Sequence, residues 1–416
     1  MRDHHGISIR EESLANKLYK LMKFQAQVIA ANPLDPDGEE VLKDMFNIYI
    51  HIICCRQHVI PRSVRRHTVI SNLSEFGTAE DYRFRSRSDI HRLFDCLRFP
   101  MQVGPFDNGG YLDGQTAFLY FLRRSSSTCR VRDLMKEFGG DKSLWSRAFK
   151  WCVKFIEREF EHILDDFHPE FVKRFPKYAD AIKTEVNRLL RDKGAAQLFT
   201  TFDVIAFIDN KCTATCRPGS GPAHDGPGAP RKDPGGLIQI SVYSGWKKLH
   251  GFKIETVTAP DGMTIHALNG ISMRHNDLFS LALSGVNDHL REACTTNGVL
   301  DPRQFKLYGD SIYLVLSNLL RRHNAPQLHP QKIQLDFEDK ALSSVREIVE
   351  WDYQEGDPPF PLSIYKSKLK LLNVPFREIF FSRVWLHNCC VALYGPKISK
   401  RFGLTPMSLE ELCGLL

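Results

Sequence analysis

Near residue 197 the hydrophobic pattern of this 416-residue chain changes its period, and that change limits the folds open to it. Upstream, apolar residues recur every three or four positions, as amphipathic helices require. Downstream they alternate or run together in short β-rich stretches, "FTTFDVIAFID", "LIQISVYSG", "GFKIETVTA" and "MTIHALNG", which read as strands. The last two face each other across Pro260-Asp261-Gly262, a hairpin signal that makes Asp261 a turn residue. A helical segment from Asp277, the short strand "FKLYGD" and a helix containing "LSSVREIVEW" come next. This order predicts an α/β core, a mixed sheet flanked by helices, preceded by an all-α region.

Three acids stand out against this pattern. Asp209 ends "LFTTFDVIAFID", Asp310 ends "FKLYGD", and Glu350 lies within the last helix. A carboxylate closing an apolar strand loses hydration unless a counter-charge meets it, and a divalent cation is the counter-ion that also does chemistry. Three such acids from distant segments point to one metal site. Mg²⁺, or Mn²⁺ in its place, suits an all-carboxylate set because it prefers oxygen ligands. Asp203 shares strand parity with Asp209.

The totals permit a large core in two or three domains, since 43% of residues are hydrophobic. A net charge of +7 favours a polyanionic partner without requiring one. Eleven cysteines are scattered apart from the pairs Cys54/Cys55 and Cys389/Cys390, and no secretory signal stands ahead of them. They read as reduced, mostly buried thiols of a cytosolic or nuclear protein. No apolar run is long enough to span a membrane. Cys212 and Cys216 have a zinc-like spacing but no second pair, and "HNCC" at 387–390 lies in an apolar helical pattern and reads as core.

We divide the chain into a helical N-terminal region (1–80), a helical region (81–195), an α/β domain (197–400) and a C-terminal tail (401–416). Within the second region, residues of about 127–160 form a helix, the pair Gly139-Gly140 and a second amphipathic helix with Leu144, Ala148, Trp151 and Phe155 on one face. A DNA-binding helix-turn-helix has this pattern and would offer Lys142, Ser143, Trp145, Ser146 and Arg147 to a major groove. An ordinary helical hairpin has it too. Residues 217–236, rich in Gly and Pro, read as a mobile surface loop.

From about 199 to 400 seven ordered motifs carry a family resemblance: "FIDN…CRP", "YSGWKKLHGFKIE", "APDG", "RHNDLFSLALSG", "LYGDSIY", "SSVREIVEW" and "KLKLL…LHNCCVALYG". Here the chain resembles the transposases of PIF/Harbinger elements and the Harbinger transposase-derived nucleases, a DDE branch with an RNase H-like core. The resemblance implies that Asp209, Asp310 and Glu350 form a catalytic metal-binding triad, with Asp277 a fourth ligand. Read from the residues, Asp277 is either that ligand or a helix N-cap.

It further implies cleavage of DNA at the terminal inverted repeats of a transposon and joining of 3′-OH ends to target DNA. A Myb-like DNA-binding partner, a homo-oligomer, and location in the nucleus with a cytoplasmic share follow from the same family. Asn210 stands where the family has glycine and Trp246 where it has histidine. The residues Asp352 to Glu355 replace a glycine-containing stretch. The alternative is a domesticated, non-catalytic DNA-binding or scaffold protein.

Beside the acids, Lys247, Lys248, His250 and Lys253 form a basic strip with Trp246 interleaved. It reads as a phosphate-contacting surface or as a solvated strand edge. Lys366, Lys368 and Lys370 form a second strip.

Overall fold

The computed structural model describes residues 66–195, 203–217, 237–323, 326–327, 331–356, 358–371, 374–396 and 399–415. Most of the expected N-terminal region and all but Arg217 of the Gly/Pro-rich loop lie outside the described residues. The chain divides into two units. One comprises Met1–Arg65 with Gly139–Asp141; the other, Arg66–Phe138 with Lys142–Leu416, carries the sheet and the helices packed on it.

Five of the longer helices precede the sheet: α1 (Arg87–Cys96), α2 (Gly114–Ser125), α3 (Val131–Phe138), α4 (Lys142–Asp165) and α5 (Phe175–Asp192). Local chemistry sets their starts. Ser86 and Asp89 form a reciprocal capping box on α1, and Asp113 accepts from the Thr116 N–H at 2.8 Å ahead of α2. Between α3 and α4, Gly139 and Gly140 take φ of 68° and 70°, a conformation that favours glycine.

The sheet contains β1 (Asp203–Ala214), β2 (Leu249–Thr258), β3 (Thr264–Ser272), β4 (Phe305–Tyr308) and β5 (Leu319–Leu320). Its order is β3-β2-β1-β4-β5, with a two-residue strand, Tyr243–Ser244, added on β2. β1, β2 and β3 are antiparallel neighbours, whereas β4 and β5 run parallel to β1. The hairpin is as the turn signal predicts: Ala259 N–H donates to Met263 at 2.9 Å, and Gly262 has φ 85°. Asp261 is more than a turn residue, since it is buried and accepts from the Tyr178 hydroxyl at 2.6 Å.

Two expectations change here. β1 does not stop at Asp209 but continues to Ala214, because residues 207–214 pair with β2 whatever their polarity. The stretch "LIQIS" is a short helix, Leu237–Ser241, rather than a strand. A brief apolar run carries no period long enough to tell the two apart.

Helices α6 (Asp277–Ser284) and α7 (Val286–Thr296) divide at Gly285, whose φ of 59° ends the first. α8 (Lys332–Gly356) and α9 (Phe376–Tyr394) complete the fold. α5 and α8 cover one face of β1 through Ile182, Val186, Leu190, Phe207, Tyr308 and Val345. On the opposite face, α4 and α9 pack on β3. α9 is apolar nearly all round and lies in the core, as expected for "HNCC"; its Trp385 stacks on Phe160 of α4 at 4.4 Å. Burying one such side chain contributes about 2–3 kcal/mol. The helical region and the sheet therefore share one core. The C-terminal residues join it through Leu409 and Leu412, both 0% exposed.

Trp145 is corrected by this packing. It is fully buried, stacked on Tyr120 at 4.5 Å and edge-on to Phe138, so it cannot enter a groove. Lys142 and Ser143 are exposed, while Ser146 and Arg147 are half-buried. The described cysteines are free, and among the described residues no helix is long and apolar enough to cross a membrane.

Candidate active site

Asp209 lies within β1, two residues beyond Phe207 on the face that α8 covers. Its side chain is 26% exposed. Burial raises its carboxyl above the ordinary carboxylate range; Glu350 and Asp277 add to the rise, while the Asn210 N–H and Arg346 oppose it. Three of the expected acids therefore act on one another electrostatically.

Arg346 occupies the space between two of them. One turn ahead of Glu350 on α8, it places Nη1 3.9 Å from Asp209 Oδ2 and Nη2 3.3 Å from Glu350 Oε1. The i,i+4 spacing of Arg346 and Glu350 is visible in sequence, but its meeting with β1 is not.

Asp277 is the first residue of α6, and the cap is Asn276, whose Oδ1 accepts from Phe279 N–H at 2.9 Å. Asp277 Oδ1 instead accepts from Lys253 Nζ at 2.6 Å. Lys253 is only 6% exposed, which removes it from the expected phosphate-contacting strip. A lysine drawn into the sheet needs a carboxylate beside it, and Asp277 provides one.

Asp310 follows β4. Phe207 and Tyr308 are parallel partners, so Asp209 and Asp310 each lie two residues past the last registered pair. Asp310 is exposed; its Oδ1 accepts from Ser311 N–H at 2.5 Å and its carbonyl from Tyr313 N–H at 3.0 Å. Gly309 permits the turn, since a Cβ there would stand 2.6 Å from the Tyr313 ring and 3.0 Å from Ile208. Tyr313 reaches back to β1, where its hydroxyl accepts from Asn210 Nδ2 at 2.8 Å.

Sequence reasoning missed Glu255. It pairs with Asn210 across β1 and β2, is 0% exposed, and has its carboxyl raised by burial to about 7. Asn210 Nδ2 also approaches Glu255 Oε2 at 3.4 Å. Its signal was Lys253 and Glu255, two charges at the i,i+2 spacing of one strand face in an otherwise apolar run.

Among the described residues no group of three or more His, Cys, Asp and Glu side chains is arranged to hold a metal ion. The donor chemistry nevertheless suits a hard divalent cation: carboxylates, with the buried Asn210 Oδ1 lacking a hydrogen-bond partner beside them. In this arrangement Arg346 and Lys253 supply the positive charge.

Of the basic strip, Lys247 and Lys248 are exposed, Trp246 is 89% exposed, and His250 is half-buried. Burial, with Arg217 and Lys366 nearby, lowers the His250 pKa. Cys216 Sγ donates to the Lys366 carbonyl at 3.0 Å.

Residues 225–355 match a family of DDE superfamily endonucleases. The match includes Asp277, Asp310 and Glu350 and begins after Asp209. It supports a nuclease or transposase type of function, with DNA as the implied substrate. No curated protein and no solved structure matches the chain.

Proposed function

We propose that the chain is a divalent-metal-dependent DNA endonuclease of the transposase type, with an RNase H-like core. The observation that carries this reading is the order of the sheet and its acids. An antiparallel meander β1-β2-β3 is followed by β4 and β5 parallel to β1; acids stand on β1, just past β4, and on the helix after β5.

Asp209, Asp310 and Glu350 would hold the cation, with Asp277 as a further ligand once released from Lys253. When bound, Mg²⁺ or Mn²⁺ supplies Lewis acidity to a phosphodiester and lowers the pKa of a water. Arg346 holds the acids together before loading. Lys247 and Lys248 bind backbone phosphates, which orients the strand without reading its sequence. Joining of 3′-OH ends, inverted repeats as substrate, a Myb-like partner, a homo-oligomer and nuclear location belong to the same proposal, on the PIF/Harbinger resemblance. Lys142 and Ser143 are further DNA contacts on the helix-turn-helix reading.

The second reading is a non-catalytic DNA-binding protein derived from such an enzyme. The internal neutralisation of Asp209, Glu350 and Asp277 by Arg346 and Lys253 favours it. Nicking of DNA that ends in inverted repeats, with Mg²⁺ or Mn²⁺, decides between them. The enzyme reading expects cleavage by the wild type and none by Asp310→Ala; equal products from both overturn it.

A further inference from the structure

Three segments without a single Asp or Glu, 237–254, 263–276 and 358–377, meet at one end of the sheet. Backbone bonds join them. Gly251 N–H donates to Val242, Met273 N–H to Gly251, Thr215 N–H to His250 at 2.8 Å, and Cys216 N–H to Leu369 at 2.9 Å. Lys247, Lys248, Arg274 and Lys366 are exposed around this junction. Every charged side chain that these three segments expose is positive, which favours a polyanion.

Aromatic rings stand among these cations. Trp246 is 89% exposed, Tyr365 42% and Tyr243 37%, and the Tyr243 ring lies 4.9 Å from that of His250. Trp246 sits in a tight turn, closed by Lys247 N–H donating to Ser244 Oγ at 3.2 Å, with Lys248 at φ 55°. A large indole left in water by a strained turn gains nothing for the fold. Next to lysines, it is a surface on which an unpaired base can stack.

The distance to the acids has a scale. Asp209 and Ala214 are five residues apart on β1. At ~3.3 Å per residue that is about 17 Å, the length of about five stacked nucleotides of one strand.

We propose that this face binds a single-stranded flank of the DNA whose phosphodiester lies at Asp209, with Trp246 and Tyr365 stacking on bases and the lysines tracking the backbone. This rests on the nuclease reading for its geometry. Its test does not, because binding is read without divalent metal.

Anisotropy titrations would compare a blunt duplex with the same duplex carrying a single-stranded tail of about ten thymidines, on the 3′ or the 5′ strand. One tailed form should bind more tightly than the blunt one. Trp246→Ala should cut that preference about tenfold, and Lys247→Gln with Lys248→Gln should flatten the salt dependence. Trp246 is too exposed for its replacement to unfold the chain. Equal affinity for blunt and tailed DNA, or an undiminished preference in Trp246→Ala, overturns the proposal and leaves the face to a protein partner. Tail binding by a protein that never cleaves would keep this inference and remove only the nuclease reading.

Discussion

The Tyr313 hydroxyl, on the loop after Asp310, accepts a hydrogen bond from Asn210 Nδ2, next to Asp209, at 2.8 Å. One partly buried contact thus ties the middle of β1, which carries Asp209, to the loop after β4, which carries Asp310. Tyr313→Phe keeps the ring and deletes the bond, leaving Asn210 only its longer approach to Glu255. A loss of about 1 kcal/mol is expected in urea unfolding, as for a half-buried donor left with a longer bond. No change would mean that the ring alone holds the loop.

Lys253 and Asp277 form a pair in which the lysine is nearly buried and the carboxylate 29% exposed. Lys253→Met strands a partly hydrated carboxylate and should cost about 1–3 kcal/mol, less than a fully buried pair because water reaches Asp277. Adding Asp277→Asn should recover most of the loss. A double-mutant cycle by thermal unfolding measures the coupling, and simple additivity would deny it.

Stability should depend on pH through His266. The ring is buried against Phe167 and bonds Asp165 O through Nδ1 at 2.8 Å; burial lowers its pKa from 6.5 to about 4. The unfolded chain therefore binds a proton that the folded one refuses. The contribution is complete above pH 6.5 and is lost as pH falls to about 4, at roughly 1.4 kcal/mol per unit. His266→Gln should unfold with a shallower slope than the wild type across that window, which urea titrations at several pH values would show.

Arg346 is the counter-charge of Asp209 and Glu350. In Arg346→Gln the acids repel one another until a cation arrives. Mg²⁺ or Mn²⁺ should then raise the melting temperature more in the variant than in the wild type, by the mass-action effect of a ligand bound only to the folded state. Calorimetry that finds no metal-induced shift in the variant would show that no ion binds between these acids, and equal shifts in both proteins would show that Arg346 does not compete with one.

Much of the core was legible because it follows from the period of the apolar residues, two in strands and near 3.6 in helices. The β2–β3 hairpin, the burial of Cys389 and the helix bearing Glu350 are all set by short-range patterns. Trp145 was misjudged because α4 is apolar over two adjoining stripes. Leu144 and Ala148 mark one, and Trp145, Phe149, Cys152 and Ile156 the other, since neighbours pack on both. The sequence-based reading gave it only one. The partners within the candidate site were harder to read. Arg346 meets Asp209, Lys253 meets Asp277, and Tyr313 meets Asn210 across separations that no periodicity records.

Phe160 and Trp385 stack across most of the described chain, one from the helices ahead of the sheet and the other from the last long helix. A joint of this kind leaves no seam between these two parts of the unit along which they could be exchanged as modules. Shuffling the helical part onto another catalytic core would expose a ring face to water on both sides of the cut. The two parts of this unit are therefore bound to be inherited, and lost, together.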